Sequence, residues 1–484
     1  MKIASGFPNL NDVARALWAA ALLTLPVTSF RYFPAGDATY VRPLAVLPLV
    51  LLVPVLLLQI LRGSSSLPRA GALTPLTAFL LAALAASLLG VLLAPIPLHG
   101  QEAIGRVVRA WATILIGLLF FISAIWMNRN EDDLRFSLRW LFAGFVLDLL
   151  WSGLQGATFY LHLLPKQLVT QWQRAFSLRE LIRTNRISGL AYEPSWLAGQ
   201  ISTLYLPWLF AALLTRQHFT RFKWLEPALL GFALLLLLAT FSRGGLLTAG
   251  AAMVLTLVLV GRAQVRSVWG WFARGFRPGG SWIGRAVILV LVLAIFAGGI
   301  FFLGQKGYIA RLWNTQATSL EDFIIQNSAG ARAAYIFGAL GAYQDHPWLG
   351  VGLGASGFYI YDHLPDWVLT TVPEIARQLS PESTLYPNPK NLYVRLLAET
   401  GLCGFLLFIA FQFSLLGDAL AALRHASAAW QYLGVASIFT WLALILYNLT
   451  QDSFAVPNLW INLGILAGMS AFPARPNAPV EQTT

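Results

Sequence analysis

The chain has 484 residues, 57% of them hydrophobic and only 11% charged, with a net charge of +12. A soluble protein carries about a quarter of its residues as charged side chains, so the composition excludes a secreted enzyme and a nucleic-acid-binding domain. The apolar residues come in runs of roughly twenty, the length of a membrane-crossing helix, which also excludes a barrel of alternating strands. The excess of cations then points to membrane surfaces and anionic lipid-like ligands instead of nucleic acid. Cys403 is the single cysteine, so no intramolecular disulfide and no cysteine-cluster metal site is available.

Apolar runs bounded by charge predict an all-α polytopic bundle of about twelve transmembrane helices. They fall near 14–30, 43–61, 74–96, 107–127, 140–163, 196–214, 225–241, 245–260, 286–304, 401–416, 428–447 and 454–472. No small-residue cleavage pattern follows Lys2 and Arg15, so the first span reads as retained. An even number of spans puts both termini on one side, and the basic short loops make that side cytoplasmic. The run Glu131-Asp132-Asp133 then faces the cytoplasm as the solvated start of a helix, not as a metal site. Residues 1–304 read as nine spans, 305–400 as an external loop subdomain, 401–473 as the last three spans and 474–484 as a disordered cytoplasmic tail.

Two external segments depart from an ordinary membrane protein. Segment 164–195 places Lys166, Arg174, Arg179, Arg183 and Arg186 among aromatic and aliphatic residues, which predicts an amphipathic helix along the outer surface. It runs into Gly189-Leu-Ala-Tyr192-Glu193-Pro194-Ser195. There Glu193 reads either as a first-turn residue favoured by the helix dipole or as a general base toward a sugar hydroxyl. Next, Phe241-Ser242-Arg243-Gly244-Gly245 joins two spans so tightly that Arg243 lies at the outer interface, with the glycines permitting the turn. Asp148 reads as a bundle-facing polar residue balancing an arginine.

The second segment, between spans nine and ten, is too long for a structureless connection and should be partly helical. It carries Arg332 and then His346-Pro347-Trp348-Leu349-Gly350-Val351-Gly352-Leu353-Gly354. The glycines predict a turn with close backbone approach and a candidate phosphate-binding nest, and His346 reads as a helix-end residue. Lys390-Asn391 follows, with Arg395 and Glu399 on the helix feeding Gly401-Leu-Cys-Gly404. No HExxH, Ser/His/Asp or Cys/His pattern is present in the sequence.

Taken in order, these pieces resemble the O-antigen ligase and O-antigen polymerase superfamily of bacterial envelope polysaccharide enzymes. The resemblance covers most of 180–470: Arg186 to Glu193-Pro194-Ser195, Ser242-Arg243-Gly244-Gly245, the loop with Arg332 and His346-Pro347, and Asn391 with Gly401 and Gly404. It implies a helical bundle of the glycosyltransferase C type with a long external capping loop between spans nine and ten. It also implies action on the outer face of the inner membrane, without a metal or other cofactor, on polyprenyl-diphosphate-linked oligosaccharides. Polymerase membership would further imply a chain-length-regulating membrane partner. The ligase branch has a histidine where this chain has Lys390, and some polymerases resemble the lysine arrangement more closely.

An ordinary lysine is a poor base near neutral pH and a good holder of diphosphate. The expectation is therefore a polymerase in which Arg186, Arg243, Arg332 and Lys390 clamp the diphosphate, with Glu193, or else Glu399, as base. Arg183, Arg395 and His346 are secondary candidates. The alternatives are a ligase acting on lipid A core or protein, and a polysaccharide transporter or flippase, which would instead bring charge to the bilayer midplane.

Overall fold

The computed structural model describes residues 9–34, 39–63, 66, 68–93, 95–179, 186–276, 281–305, 330–380 and 382–471. Arg183, the stretch 306–329 and the expected tail lie outside them. The described residues are helical, with only isolated β-bridges. In chain order the helices are α1 Leu10–Thr24, α2 Val46–Leu61, α3 Leu73–Leu92, α4 Ala103–Met127 and α5 Glu131–Phe159. They continue with α6 Lys166–Phe176, α7 Pro194–Thr215, α8 Leu225–Ala239, α9 Arg243–Val260, α10 Arg262–Ala273 and α11 Trp282–Gln305. The last four of more than ten residues are α12 Gly330–Asp345, α13 Leu392–Leu423, α14 Ala428–Tyr447 and α15 Ile461–Ala471, with short helical pieces Gly357–Ile360, Trp367–Thr371 and Pro373–Gln378 between α12 and α13.

A helix overlaps each expected span, and seven of those described (α3, α4, α5, α7, α9, α13 and α14) are long and apolar enough to cross a membrane. Two boundaries shift for identifiable reasons. α1 stops just before Pro26, which lacks the N–H to continue a helix. The last α-helix begins only at Ile461, because 448–460 is an ordered link in which Phe454 and Ala455 are buried without being helical and Pro457–Leu459 forms one 3-10 turn. The run Glu131-Asp132-Asp133 forms the first turn of α5, capped by the Asn130 side chain, which accepts from Asp133 N–H.

The amphipathic segment is shorter than 164–195 suggests. α6 ends at Phe176 because Ser177 is captured by the α1–α2 link: the two hydroxyls of Ser29 and Ser177 are 2.8 Å apart, and Leu178 N–H donates to Ser29 O. Between 330 and 398 a separate apolar cluster forms from Ala334, Tyr335 and Ala339 of α12 with Ile360, Val368 and Ile375, and it meets α13 at Ala398.

Helix α7 is not uniform. Ile201–Tyr205 is a π-helical stretch that loosens the backbone ladder. Asn462 of α15 fills the gap, its Nδ2 donating to Thr203 O and Leu204 O while its Oδ1 accepts from Trp208 Nε1. Contacts bring the end of α3, the start of α4, the end of α8 and the starts of α7, α9 and α13 to one end of the bundle: Gly90 packs on Val351, Gly354 on Arg106, Gly245 on Ala198, Ile187 N–H donates to Ala239 O and Val351 N–H to Ala398 O. All the motif residues lie there.

The break in α13 sets that end. Gly401 has φ +61°, ψ −168°, which removes Leu402 and Cys403 N–H from the carbonyls of Ala398 and Glu399. The loop at 347–352 replaces both halves of the lost ladder. Leu402 and Cys403 N–H donate to Pro347 O and Trp348 O, while Val351 and Gly352 N–H donate to Ala398 O and Glu399 O. The close backbone approach expected of the glycines is present. A Cβ on Gly350 would lie 2.5 Å from Glu399 C, and one on Gly401 2.3 Å from Trp348 C.

Gly401→Ala or Gly350→Ala combines that clash with a positive φ and should cost at least 1–3 kcal/mol, read as a lowered midpoint in thermal unfolding of the detergent-solubilised protein. Gly153→Ala, in α5 with no atom within 4 Å of the added methyl, should leave the midpoint unchanged or raise it.

Candidate functional site

Segment 448–460, the connection after the expected span 428–447 together with the first residues of the expected span 454–472, joins the motifs. Leu392 N–H donates to Asn448 O, Arg332 Nη1 to Thr450 O at 3.3 Å, and Arg395 Nη1 to Asp452 O at 2.6 Å. Lys390 N–H donates to Asp452 Oδ2 at 2.9 Å. That bond accompanies an unusual backbone: Lys390 sits at φ +48°, a left-handed conformation that a lysine rarely adopts. Its side chain is exposed, and the next residue, Asn391, caps α13 by accepting from Tyr393 and Val394 N–H. Burial pushes the Asp452 carboxyl up from its usual range, and the Arg395 guanidinium pulls it back.

Arg395 and Glu399 are an interior ion pair at 2.9 Å, one turn apart on α13. Glu399 also accepts from Ser356 Oγ at 2.9 Å and is 2% exposed. Both of its carboxylate oxygens are therefore engaged, which removes the ground for reading Glu399 as the base. Arg106, unremarked in the sequence, lies in the field of Arg395, Glu399, Arg109 and Tyr386. Its guanidinium stacks 3.8 Å over the Tyr386 ring, and the Tyr386 hydroxyl donates to Gly354 O.

The other motifs meet the same region from α7 and the α8–α9 turn. Arg186 Nε donates to Thr240 O at 2.8 Å, and Ile187 N–H to Ala239 O. Arg243 opens α9 behind its cap Ser242. The turn itself is made by Phe241 at φ +48°, so the glycines do not form it, contrary to expectation. Their smallness serves packing: a Cβ on Gly245 would lie 2.4 Å from the Ala198 Cβ of α7, and one on Gly244 would touch Thr450. Gly244, the residue after Arg243, therefore adjoins Thr450, whose carbonyl receives Arg332. Glu193 stands at the N-cap position of α7 without a side-chain capping bond, accepts from Ser195 Oγ at 2.6 Å, and lies in the field of the Tyr447 hydroxyl at the end of α14.

Two further expectations change. The glycine turn is not a phosphate nest, because Gly350, Val351 and Gly352 N–H are all donated to backbone carbonyls. Asp148 does not balance an arginine through its hydrogen bonds: its Oδ1 accepts Leu190 N–H at 2.8 Å. His346 follows α12 as a helix-end residue, N–H to Ala342 O, with its ring edge-on to Tyr359. Asp452 and Thr450 were missed because they act from a loop whose neighbours are apolar. Arg106 was missed because one arginine at a helix start gives no pattern.

The interior pair yields a prediction. Glu399→Ala strands a buried guanidinium and should cost about 3–5 kcal/mol, whereas replacing both partners with apolar residues (Arg395→Met with Glu399→Leu) should cost much less. A double-mutant cycle on thermal or denaturant unfolding checks it, and additive losses would mean that the two charges do not act as a pair.

No curated protein matches the chain. A protein-family model described as O-antigen ligase matches residues 228–409, from α8 through the α8–α9 turn, α12 and Lys390 to the kink of α13. Arg243, Arg332, Lys390 and the Gly401 break all lie inside the matched stretch, which supports the likeness of this chain to the O-antigen ligase and O-antigen polymerase superfamily.

Proposed function

We propose that the protein is a polysaccharide polymerase that joins polyprenyl-diphosphate-linked oligosaccharide repeat units at the outer face of the inner membrane. The observation supporting it is the attachment of Arg332, Lys390 and Arg395 to Thr450 and Asp452 of one loop, beside the turn that holds Arg186 and Arg243. In this reading twelve helices cross the membrane, both termini are cytoplasmic, and the 305–400 segment caps the bundle.

Breaking the anomeric C–O bond leaves a diphosphate on the lipid, and the main demand is fixed positive charge where that charge develops. Arg186, Arg243, Arg332 and Lys390 meet it; arginine forks suit phosphate oxygens, and Lys390 adds a point charge. The acceptor hydroxyl attacks the anomeric carbon from the opposite face with inversion and gives its proton to Glu193 as the C–O bond to the diphosphate breaks. The family description favours a second reading, a ligase with the same donor and a lipid A core or protein acceptor. Lys390 in place of a histidine supports the polymerase.

The test is a nanodisc reaction with a lipid-diphosphate-linked oligosaccharide in EDTA, with products resolved by size. A ladder of lengths is expected. Arg332→Ala and Lys390→Ala should each lower turnover by about 10²–10³, and Glu193→Gln by about 10²–10⁴. Unchanged turnover in the cation variants would end the clamp proposal. A single transfer to added lipid A core, with no ladder, would establish the ligase reading.

A further inference from the structure

The arm 186–193, which carries Arg186 and Glu193, is held from behind by α5. Gln155 Oε1 accepts Ser188 and Gly189 N–H, its Nε2 donates to Gly189 O, and Asp148 Oδ1 accepts Leu190 N–H. Gly189, at φ +58°, is pressed so close that a Cβ would lie 2.3 Å from Asp148 Oδ1 and 2.8 Å from Ser152 Oγ.

Beside this contact three buried oxygens have no hydrogen-bond partner among the described residues: Asp148 Oδ2, Ser152 Oγ and the Tyr205 hydroxyl. All three residues are at most 2% exposed. They are neighbours: Asp148 and Ser152 are one turn apart on α5 and both meet Gly189. Tyr205 stacks on Phe145, one turn earlier, with ring centroids 4.4 Å apart, and lies in the field of Asp148. Tyr205 also belongs to the π-helical stretch of α7, the kind of ladder defect that recurs at functional sites.

Unpartnered polar atoms in an interior are costly, and an isolated buried carboxylate more so. Ser152 does not make even the bond back to its own helix that a helical serine usually makes. An all-oxygen set with one carboxylate charge suits a hard cation carrying one charge. We propose that Asp148 Oδ2, Ser152 Oγ and the Tyr205 hydroxyl bind a sodium ion that locks the 186–193 arm against α5 and α7. The ion neutralises the buried carboxylate and stiffens the arm; it takes no part in bond breaking. EDTA, which removes divalent ions, would leave it in place.

The experiment is thermal unfolding of the full-length protein in detergent, titrated with NaCl against choline chloride at constant ionic strength. Wild type should show a saturable rise in midpoint of roughly 2 °C at about ten times the half-saturating concentration. Asp148→Asn, which keeps an oxygen for Leu190 N–H, should show none. Ser152→Ala and Tyr205→Phe should move half-saturation to higher sodium by roughly tenfold, and they keep the test usable if the Asp148 variant does not fold. A wild-type midpoint indifferent to sodium, or an equal rise in Asp148→Asn, would overturn the site. Because the readout is unfolding, either result stands whether the enzyme is a polymerase or a ligase.

Discussion

Everything at the motif-bearing end depends on what happens to backbone groups when a helix breaks inside an apolar bundle. Ala398, Glu399 and Gly401 are buried, so a break left open there would leave main-chain groups without their hydrogen bonds. The 347–352 loop meets the carbonyls of Ala398 and Glu399 and the N–H groups of Leu402 and Cys403 by lending two carbonyls and two N–H groups. This exchange fixes the loop after α12 to α13, and with it the relative placement of Arg332 and Lys390, which are 58 positions apart in the sequence. Glycine is required on both sides, since a side chain at Gly350 or Gly401 would occupy the partner's backbone.

The same logic of backbone satisfaction decides how the cations are held. Arg186, Arg332 and Arg395 each donate to a main-chain carbonyl, of Thr240, Thr450 and Asp452. A carbonyl orients a guanidinium without cancelling its charge, as for Arg332, which donates to Thr450 O and is exposed. Carboxylate partners would fix the side chains as firmly and neutralise them.

Much of the helical framework was legible in sequence, because long apolar runs have few alternatives to a membrane-crossing helix. The order of Arg186, Arg243, Arg332 and Lys390 was legible too, since their motifs are local. What joins them was not. Residues 454–460 are as apolar as a span, and hydropathy cannot tell a buried link from the first turns of a helix. Likewise Ser242-Arg243-Gly244-Gly245 suggested glycines in a turn, but Phe241 takes the positive φ and the glycines admit Ala198 and Thr450. In each case the deciding atoms belong to residues far away in the chain.

Two kinds of arginine are therefore attached to one loop, at Thr450 and Asp452. Arg395 is interior, paired with Glu399, and its remaining donor secures the Asp452 carbonyl; its charge is spent on architecture. Arg332 is exposed at the first turn of α12, and Lys390, also exposed, donates its backbone N–H to Asp452 Oδ2. Holding Lys390 by the main chain leaves its ammonium group unassigned by that bond and directs the carboxylate of Asp452 to the backbone. The Asp452 carboxylate still lies in the fields of Arg395 and Lys390, so in the proposed reading it helps to place these cations while Arg332 and Lys390 stay exposed toward a diphosphate.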